Sequence, residues 1–172
     1  MSEGLYHYIA KAWKKADIKT LRERMIEWRK GESIVKVEKP LRLDRARKLG
    51  YKAKRGFVIV RVRVLRGGRR RPRPKKARKG GRELTIRKTI SMNYQQICEQ
   101  RAAKKFKNLE VLNSYFIGKD GQYYFYEVIL VDPNMPEIKR DKTINWICNP
   151  KNRKRVLRGL TSAGKKARGL RQ

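Results

Sequence analysis

Chemically reactive side chains are few in this sequence, and they are far apart. His7 is the only histidine among the 172 residues, and Cys98 and Cys148 are the only cysteines. A single histidine cannot supply the His pair or His–Cys cluster of a usual metal site. Neither cysteine has a histidine near it in sequence to activate its thiol, so both are more typical of small core residues. We therefore expect no catalytic residue, no metal site and no enzyme activity.

Glycine-rich segments raise a second possibility, the binding of a nucleotide phosphate. RGGRRRP and KGGRE lack the Gly-Lys-Ser/Thr ending of a phosphate-binding loop, and in GLTSAGKKARG neither Ser nor Thr follows the first lysine. No predicted strand precedes this last segment. It is more typical of a flexible basic segment whose glycines let backbone amides approach phosphates. We expect no bound cofactor and no small-molecule substrate.

The distribution of charge is the most informative property of the chain. Its 48 Lys and Arg far exceed its 15 Asp and Glu, giving a formal net charge of +33. Acids are absent from residues 45–82 and 142–172, which hold 18 and 10 of the basic residues. Such blocks of one charge typically serve as binding arms, and arginine forks suit the phosphates and bases of folded RNA. The pattern predicts a nucleic-acid-binding protein.

Length and composition limit the remaining classes. A chain of 172 residues with 39% hydrophobic residues is long enough for one domain with a real core. It contains no apolar run of about 18 residues, which predicts that no helix crosses a membrane. The first residues lack the apolar region of a secretory signal, and two distant cysteines favour a reducing compartment. We expect an intracellular protein with no membrane partner.

The apolar spacing of residues 2–30 predicts two amphipathic helices. Asp17 or Thr20 is expected to cap the second helix, and Gly31 is placed to end it. Basic residues cover the outer faces of both helices, and the sequence leaves open whether they face solvent or contact RNA. These residues are Lys11, Lys14, Lys15, Lys19, Arg22 and Arg29.

The next segment carries the strongest strand signal. A short strand is predicted at 34–38, followed by a basic stretch with a helical turn and then by a strand at 57–65. The four valines of the second strand share one face and are expected in the core, whereas Arg61 and Arg63 are expected to point outward. Tyr51 lies among the bases of this region and is either a stacking platform for an unpaired base or a core residue.

Residues 67–82 lack any apolar periodicity, and Pro72 and Pro74 oppose a helix. We therefore predict an extended basic loop or arm that is ordered only by its partner. Helical spacing returns at 91–107, where Ser91 is the expected cap.

A hairpin is predicted in the C-terminal half. Segments 109–118 and 122–131 flank an Asp-Gly pair, which is favoured in tight hairpin turns. The second segment is apolar on both faces at its end, which predicts an inner strand covered on both sides. A short element at 143–150 is expected to be anchored by Trp146, and residues 151–172 are expected to form a basic C-terminal extension.

Several long stretches of the sequence resemble one protein family. They are 42–72, 111–121, 126–133, 145–148 and 158–170, together with YHYIAKAWKK and MIEWRK near the N-terminus. Colinear over nearly the whole chain, they resemble the fifteen-e family of large-subunit ribosomal proteins, in its archaeal form. The resemblance implies an α+β fold over residues 1–172, a small antiparallel sheet packed with helices, with a long basic loop and a C-terminal extension. It also implies a non-catalytic structural constituent of the large ribosomal subunit in the cytoplasm, bound to large-subunit ribosomal RNA and to neighbouring large-subunit proteins.

The same resemblance implies RNA binding for the basic residues inside the matching stretches. These are Arg42, Arg45, Arg47, Lys48, Lys52, Lys54, Arg55, Arg61, Arg63, Arg66, Arg69, Arg70, Arg71, Arg158, Lys165, Lys166 and Arg168. Neighbouring bases of the two basic segments complete the predicted set: Arg73, Lys75, Lys76, Arg78, Lys79, Arg82, Lys151, Arg153, Lys154 and Arg155. The contacts are expected to be mainly with phosphate and ribose, so that the RNA is recognised by its shape.

Three other functions compete with this interpretation. A nucleic-acid compaction protein has a similar composition, but a folded hairpin and a strand with arginines on one face favour a shaped RNA site. An RNA-processing enzyme is disfavoured by the single histidine and by the lack of a suitably placed acidic pair. A membrane-active protein would need one long amphipathic helix that carries the charge.

Overall fold

The structure is a computed structural model that describes residues 3–68 and 90–171. The α-helices of these residues are α1 (Leu5–Lys14), α2 (Ile18–Lys30), α3 (Leu43–Lys48), α4 (Tyr94–Lys105), α5 (Pro136–Arg140) and α6 (Ser162–Ala167). The strands are β1 (Ile34–Val37), β2 (Phe57–Leu65), β3 (Glu110–Lys119) and β4 (Tyr123–Val131), and short 3₁₀ turns lie at Asn145–Cys148 and Pro150–Asn152. The predicted α+β class is confirmed. The basic loop predicted at 67–82 lies, from residue 69 onward, outside the described residues.

The four strands form one antiparallel sheet in the order β1-β2-β4-β3. β4 is an inner strand with most of its side chains buried, as predicted for 122–131. The β3–β4 hairpin closes at Asp120, whose Oδ1 accepts hydrogen bonds from the backbone N–H groups of Gln122 (2.7 Å) and Tyr123 (2.5 Å). This local side-chain bond fixes the turn that the Asp-Gly pair predicted. Within the two described ranges, no helix has the length and apolar character needed to cross a membrane.

An apolar core lies on each face of the sheet. On the first, which we call the α2 face, Trp28 packs edge-on to Phe125 with ring centres 5.3 Å apart. On the second, the α4 face, Cys98 and Ala102 pack against the valines of β2 and β4. The Cys98 thiol is fully buried, and this burial raises its pKa. Cys98 is therefore the small core residue that the sequence indicated.

Helix boundaries follow their capping residues. Asp17 caps α2 by accepting hydrogen bonds from the N–H groups of Lys19 (3.0 Å) and Thr20 (3.2 Å), as predicted. The prediction that Ser91 caps the next helix is wrong, because α4 begins at Tyr94 and Asn93 is its cap. The Asn93 side chain also donates a hydrogen bond to the distant Ala163 carbonyl (3.0 Å), so a tertiary contact helps to fix the position of the cap.

The short element near residue 146 is anchored by a different residue from the one predicted. The Trp146 side chain is 40% exposed, whereas Ile147 is 1% and Ile144 4% exposed in the α2-face core. A 3₁₀ turn has three residues per turn, so Ile144 and Ile147 share its inner face and Trp146 does not. Trp146 instead lies under the guanidinium of Arg155, 5.0 Å from the ring centre.

Tyr51 is a core residue. Its side chain is only 8% exposed and packs edge-on to Phe57, with ring centres 5.8 Å apart. Of the two alternatives that the sequence left open, burial in the core is therefore the one observed, because a buried ring cannot stack on a base.

The C-terminal residues pack onto the α4 face. Val156 is buried in that core, and residues 162–167 form α6. Gly164 lies so close to Gly159 that a side-chain carbon at Gly164 would stand 2.7 Å from the Gly159 Cα. The segment that was predicted to be flexible is helical at 162–167, and these two glycines permit its close backbone packing.

Candidate nucleic-acid interface

A cationic groove lies between α1 and α3, which pack against each other. The Arg47 guanidinium of α3 lies 5.9 Å from the ring centre of Tyr6 on α1. The groove has a volume of about 620 Å³ and is lined by Tyr6, His7, Ala10, Lys11, Lys14, Lys15 and Lys48. None of these described lining residues is acidic, and α1 buries none of its side chains. The basic face of α1 is therefore open to a polyanion.

A second basic depression runs along the outer edge of β3. Its volume is about 570 Å³, and its lining residues are Arg42, Arg45, Leu49, Gln95, Asn113, Ser114, Tyr115, Phe116, Ser162, Lys166 and Arg171. We call it the β3-edge cleft. Residues from α3 form one wall and residues from α6 and its C-terminal end form the other, so both acid-free stretches of the chain contribute cations to it.

A buried glutamate on the α2 face holds the α3 wall. Arg61, Glu127 and Tyr115 are register partners across β2, β4 and β3. Glu127 accepts hydrogen bonds from the N–H of Leu41 (3.1 Å) and from the hydroxyl of Tyr115. Burial raises the pKa of the Glu127 carboxyl, and the two hydrogen bonds and the charge of Arg61 oppose that shift. Because Leu41 directly precedes Arg42, this contact fixes the point from which α3 starts.

A second buried glutamate, on the α4 face, holds the α6 wall. Glu99 of α4 accepts hydrogen bonds from the hydroxyls of Ser114 and Thr161, the latter at 2.6 Å. Burial raises the pKa of the Glu99 carboxyl, and these hydroxyls together with Arg155 oppose the shift. The Thr161 hydroxyl also caps α6 by accepting from the N–H of Gly164 (3.2 Å). Glu99 thus connects α4, β3 and the start of α6 at one point.

Arg61 and Arg63 do not point outward as predicted. They lie on the face opposite the buried valines, but α2 covers that face. The Arg61 guanidinium stands 4.7 Å from the ring centre of Trp28, and Arg63 Nη1 donates to the backbone carbonyls of Trp28 (3.0 Å) and Arg29. The alternating pattern of β2 identified the face correctly but could not show that a helix covers it.

Several other predicted arginines also donate to backbone carbonyls. Arg155 Nη1 binds the carbonyls of Val111 (2.9 Å) and Leu112 (2.7 Å) on β3. Arg168 Nη2 binds the Gly159 carbonyl (3.0 Å) and so joins the end of α6 to the preceding turn. These arginines stabilise the walls of the interface from within.

Lys52 and Lys54 converge on one acid. Their Nζ atoms lie 2.8 Å and 2.6 Å from Asp141 Oδ2, and Lys52 also donates to the hydroxyl of Thr143 (2.8 Å). Hydrogen bonds from Lys52, Lys54 and Thr143 hold the pKa of Asp141 well below its usual range. Asp141 therefore neutralises part of this basic region and fixes both lysines in position.

A family model described as Ribosomal L15 matches residues 4–172. The chain belongs to the fifteen-e family of large-subunit ribosomal proteins. The family resemblance seen in the sequence is thus confirmed. Fifteen-e proteins are structural components of the large ribosomal subunit, which is cytoplasmic, and they associate there with ribosomal RNA and other ribosomal proteins.

The basic residues of the predicted RNA-binding set fall into three groups: half-buried, exposed and outside the described residues. Half-buried side chains belong to Arg42, Lys52, Lys54, Arg61, Arg63 and Arg155. Exposed side chains belong to Arg45, Arg47, Lys48, Arg55, Arg66, Lys151, Arg153, Lys154, Arg158, Lys165, Lys166 and Arg168. Outside the described residues lie Arg69, Arg70, Arg71, Arg73, Lys75, Lys76, Arg78, Lys79 and Arg82.

The predicted RNA-binding set lacks four residues that line the two basic surfaces. Lys11, Lys14 and Lys15 line the groove, and Arg171 lines the β3-edge cleft, although the predicted set includes none of them. Arg171 lies in the acid-free stretch 142–172, so its charge context could have identified it. For the α1 lysines the helical pattern left solvent exposure and RNA contact open, because their placement depends on the packing of α1 against α3.

Proposed function

We propose that this fifteen-e protein binds and stabilises folded large-subunit ribosomal RNA through phosphate and ribose contacts from its exposed Lys and Arg residues. The supporting observation is the position of α3, which contributes Lys48 to the groove and, with the residue before it, Arg42 and Arg45 to the β3-edge cleft. One short helix thus joins two basic surfaces whose other walls come from opposite ends of the chain. RNA lying across α3 would contact both.

The physical role in this proposal is charge neutralisation on a rigid platform. RNA segments repel one another through their phosphates, and cations placed between them release bound counterions and lower that repulsion. The sheet and its two cores fix the cations, so RNA binding does not have to order this part of the protein. Basic residues of 69–89 lie outside the described residues, and we include 67–82 in the proposal on the strength of its charge.

Sedimentation of a cell lysate through a sucrose gradient tests the proposal. The protein is expected to migrate with the large subunit and to remain there at moderate monovalent salt. In isolated binding to large-subunit RNA, ten phosphate contacts would give a slope of about −9 for log K against log salt, by the duplex value. In the gradient, distribution over the top fractions or chromatin would contradict the proposal and favour a compaction protein. In the binding experiment, a slope of about −2 would mean that most of the charge does not contact RNA.

Deletion of residues 67–82 tests the contribution of the basic arm. We expect the shortened protein to keep its far-ultraviolet circular dichroism and to fail to enter the large subunit stably, because the deletion removes basic residues and none of the core residues that the structure describes. A Gly-Ser replacement of equal length is the matched control for loop closure. An unfolded deletion variant would show that the division into a domain and an arm is wrong.

A further inference from the structure

The β3-edge cleft lies beside residues 113–116 of β3, next to the part of this strand that Arg155 contacts. β3 is an outer strand, and over residues 110–112 its edge is occupied by Arg155, which binds two carbonyls, and by the Lys154 N–H, which binds the Glu110 carboxylate (3.0 Å). The cleft is lined by the next residues of the same strand, 113–116. An outer strand presents backbone N–H and C=O groups that no neighbouring strand pairs. On the floor of the cleft, the Ser114 carbonyl already accepts from Gln95 Nε2 (2.9 Å) and the Ser114 N–H donates to Asn113 Oδ1 (2.9 Å), so the site depends on its side chains rather than on this backbone.

Four cations from distant parts of the chain surround this floor. Arg42 and Arg45 come from the start of α3, and Lys166 and Arg171 from α6 and the residues after it. Among the lining residues in the described part of the chain there is no acid; Asp44 lies 3.7 Å from Arg42, and the buried Glu99 and Glu127 are bonded to Ser114 and Tyr115 of the floor. Clustered like charges in a concave site focus a positive potential and favour the entry of an anion.

The chemistry of these cations suits a phosphodiester. Guanidinium groups bind phosphate oxygens in pairs, and a lysine adds a compact charge. Arg45 and Lys166 are exposed, and their side chains form no ion pair or hydrogen bond with another described residue. Arg171 donates to the Ser162 hydroxyl (2.5 Å), which holds its guanidinium at the rim.

An aromatic ring stands beside the cations. Phe116 is 40% exposed on an otherwise well-buried strand. Its ring packs edge-on to Tyr126, with centres 5.6 Å apart, so it is held in place although it is partly open to solvent. A fixed, exposed ring of this kind is a platform on which any unpaired base can stack.

We propose that the β3-edge cleft holds one unpaired nucleotide of the bound RNA, with its flanking phosphates at the four cations and its base against Phe116. The inference rests on the proposed RNA-binding function and specifies one site within it. A volume of about 570 Å³ is within the range of small-ligand clefts, about 300–1,000 Å³, so the cleft is sized for a nucleotide and not for a duplex.

Binding of two RNA probes by the full-length protein tests the proposal. The probes are a fluorescein-labelled single-stranded uridine pentanucleotide and a blunt RNA duplex of twelve base pairs, both followed by anisotropy. Phe116→Leu removes the aromatic ring but keeps an apolar side chain, and we expect it to weaken pentanucleotide binding by about tenfold while duplex binding stays unchanged. Phe116→Tyr keeps a ring and should bind both probes as the original protein does.

A paired change in charge tests the phosphate contacts. Arg45→Gln with Lys166→Gln should reduce the salt slope for the pentanucleotide by about 1 to 1.5, because each lost single-strand phosphate contact changes it by about 0.7. The matched control is Lys139→Gln with Arg140→Gln, which removes the same charge from the exposed face of α5. The control should leave the salt slope for the pentanucleotide unchanged.

The outcomes separate this inference from the function on which it rests. If Phe116→Leu and the Arg45/Lys166 pair bind the pentanucleotide as the original protein does, the nucleotide site is overturned, while co-sedimentation with the large subunit can still stand. A protein that binds neither probe and does not sediment with the subunit overturns both. Circular dichroism of each variant, together with the binding of Phe116→Tyr, shows whether a loss reflects the missing ring rather than unfolding.

Discussion

The two faces of the sheet each bury one glutamate, and the two glutamates hold opposite walls of the β3-edge cleft by different means. On the α2 face, Glu127 belongs to an inner strand and accepts from a backbone N–H, that of Leu41, and from a tyrosine. On the α4 face, Glu99 belongs to a helix and accepts from two side-chain hydroxyls. The α3 wall is therefore tied directly to the sheet, whereas the α6 wall is tied through a helix that lies on the sheet.

This difference shows how a chain of net charge +33 can keep its cations close together. Cationic walls repel each other, so they cannot provide their own attachment. The buried acids and the carbonyl-bound arginines provide it from within, where water does not screen them. We therefore expect the walls to respond separately when their anchors are removed.

The largest effect is expected for Glu127→Ala. It leaves the part-buried Leu41 N–H and the buried Tyr115 hydroxyl without an acceptor, and each unsatisfied donor costs about 1–3 kcal/mol of the free energy of unfolding. Urea unfolding measures this cost, and hydrogen exchange should show faster exchange at 41–49 than at 162–171. Glu99→Ala is the matched variant and should show faster hydrogen exchange at 162–171 than at 41–49. Equal exchange of both segments in both variants would contradict the separate attachment of the two walls.

Gly164→Ala should disturb only the α6 wall. The added carbon would stand 2.7 Å from the Gly159 Cα, a contact that forces the backbone apart. Overpacking of this kind costs about 1–3 kcal/mol of the free energy of unfolding. Gly121→Ala is the control because a side-chain carbon there meets no atom within 4 Å. If Gly164→Ala were as stable as the control in urea unfolding, α6 would be only loosely attached.

Thr161→Val tests the polar attachment of the same wall. It removes the bond to Glu99 and the cap of α6 at nearly constant side-chain volume, and we expect a loss of about 1–2 kcal/mol. Thr161→Ser keeps the hydroxyl and should keep most of the stability. If valine and serine were equivalent in urea unfolding, Glu99 would not be the anchor of this wall.

The smallest effect is expected away from the cleft, at Asp141. Its pKa is held below the usual value of 3.8 by Lys52, Lys54 and Thr143, so the carboxylate stabilises the fold above that pH and the contribution is lost as the pH falls further. Asp141→Asn should therefore lower the urea midpoint at pH 7, and the difference from the original protein should shrink below about pH 3.8. A difference that does not depend on pH would indicate that the lysines contribute little through charge.

Local signals predicted the elements of this fold well. The alternating valines gave β2 its bounds, the Asp-Gly pair marked the hairpin, and Asp17 marked the start of α2, because each depends on residues within a few positions. Asn93 and Ile147 were missed because their roles depend on contacts with distant segments. The same reason explains why Arg63 was expected to point outward. Its true contacts are carbonyls of α2, and the sequence does not show that α2 covers this face of the sheet.

The candidate site was predictable in its composition but not in its arrangement. Arg42, Arg45 and Lys166 stand in the predicted set, yet nothing in the sequence shows that they meet at one cleft. Their meeting depends on β3 lying at an edge, on Glu127 and on Glu99. Charge counting finds the cations of such a protein, and only the packing shows which of them are exposed and which are bonded to a carbonyl.

The arginine on the β3 edge has a further consequence for the protein before it meets RNA. Exposed strand edges are templates on which identical chains add to one another and form aggregates. Arg155 occupies two carbonyls of β3, and Lys105 Nζ binds the Ile34 carbonyl of β1 (3.0 Å) at the opposite edge. Lys105 also pairs with Glu32 (3.0 Å), so both edges of the sheet have carbonyls occupied by a basic side chain, which disfavours the addition of a second copy before the protein is assembled.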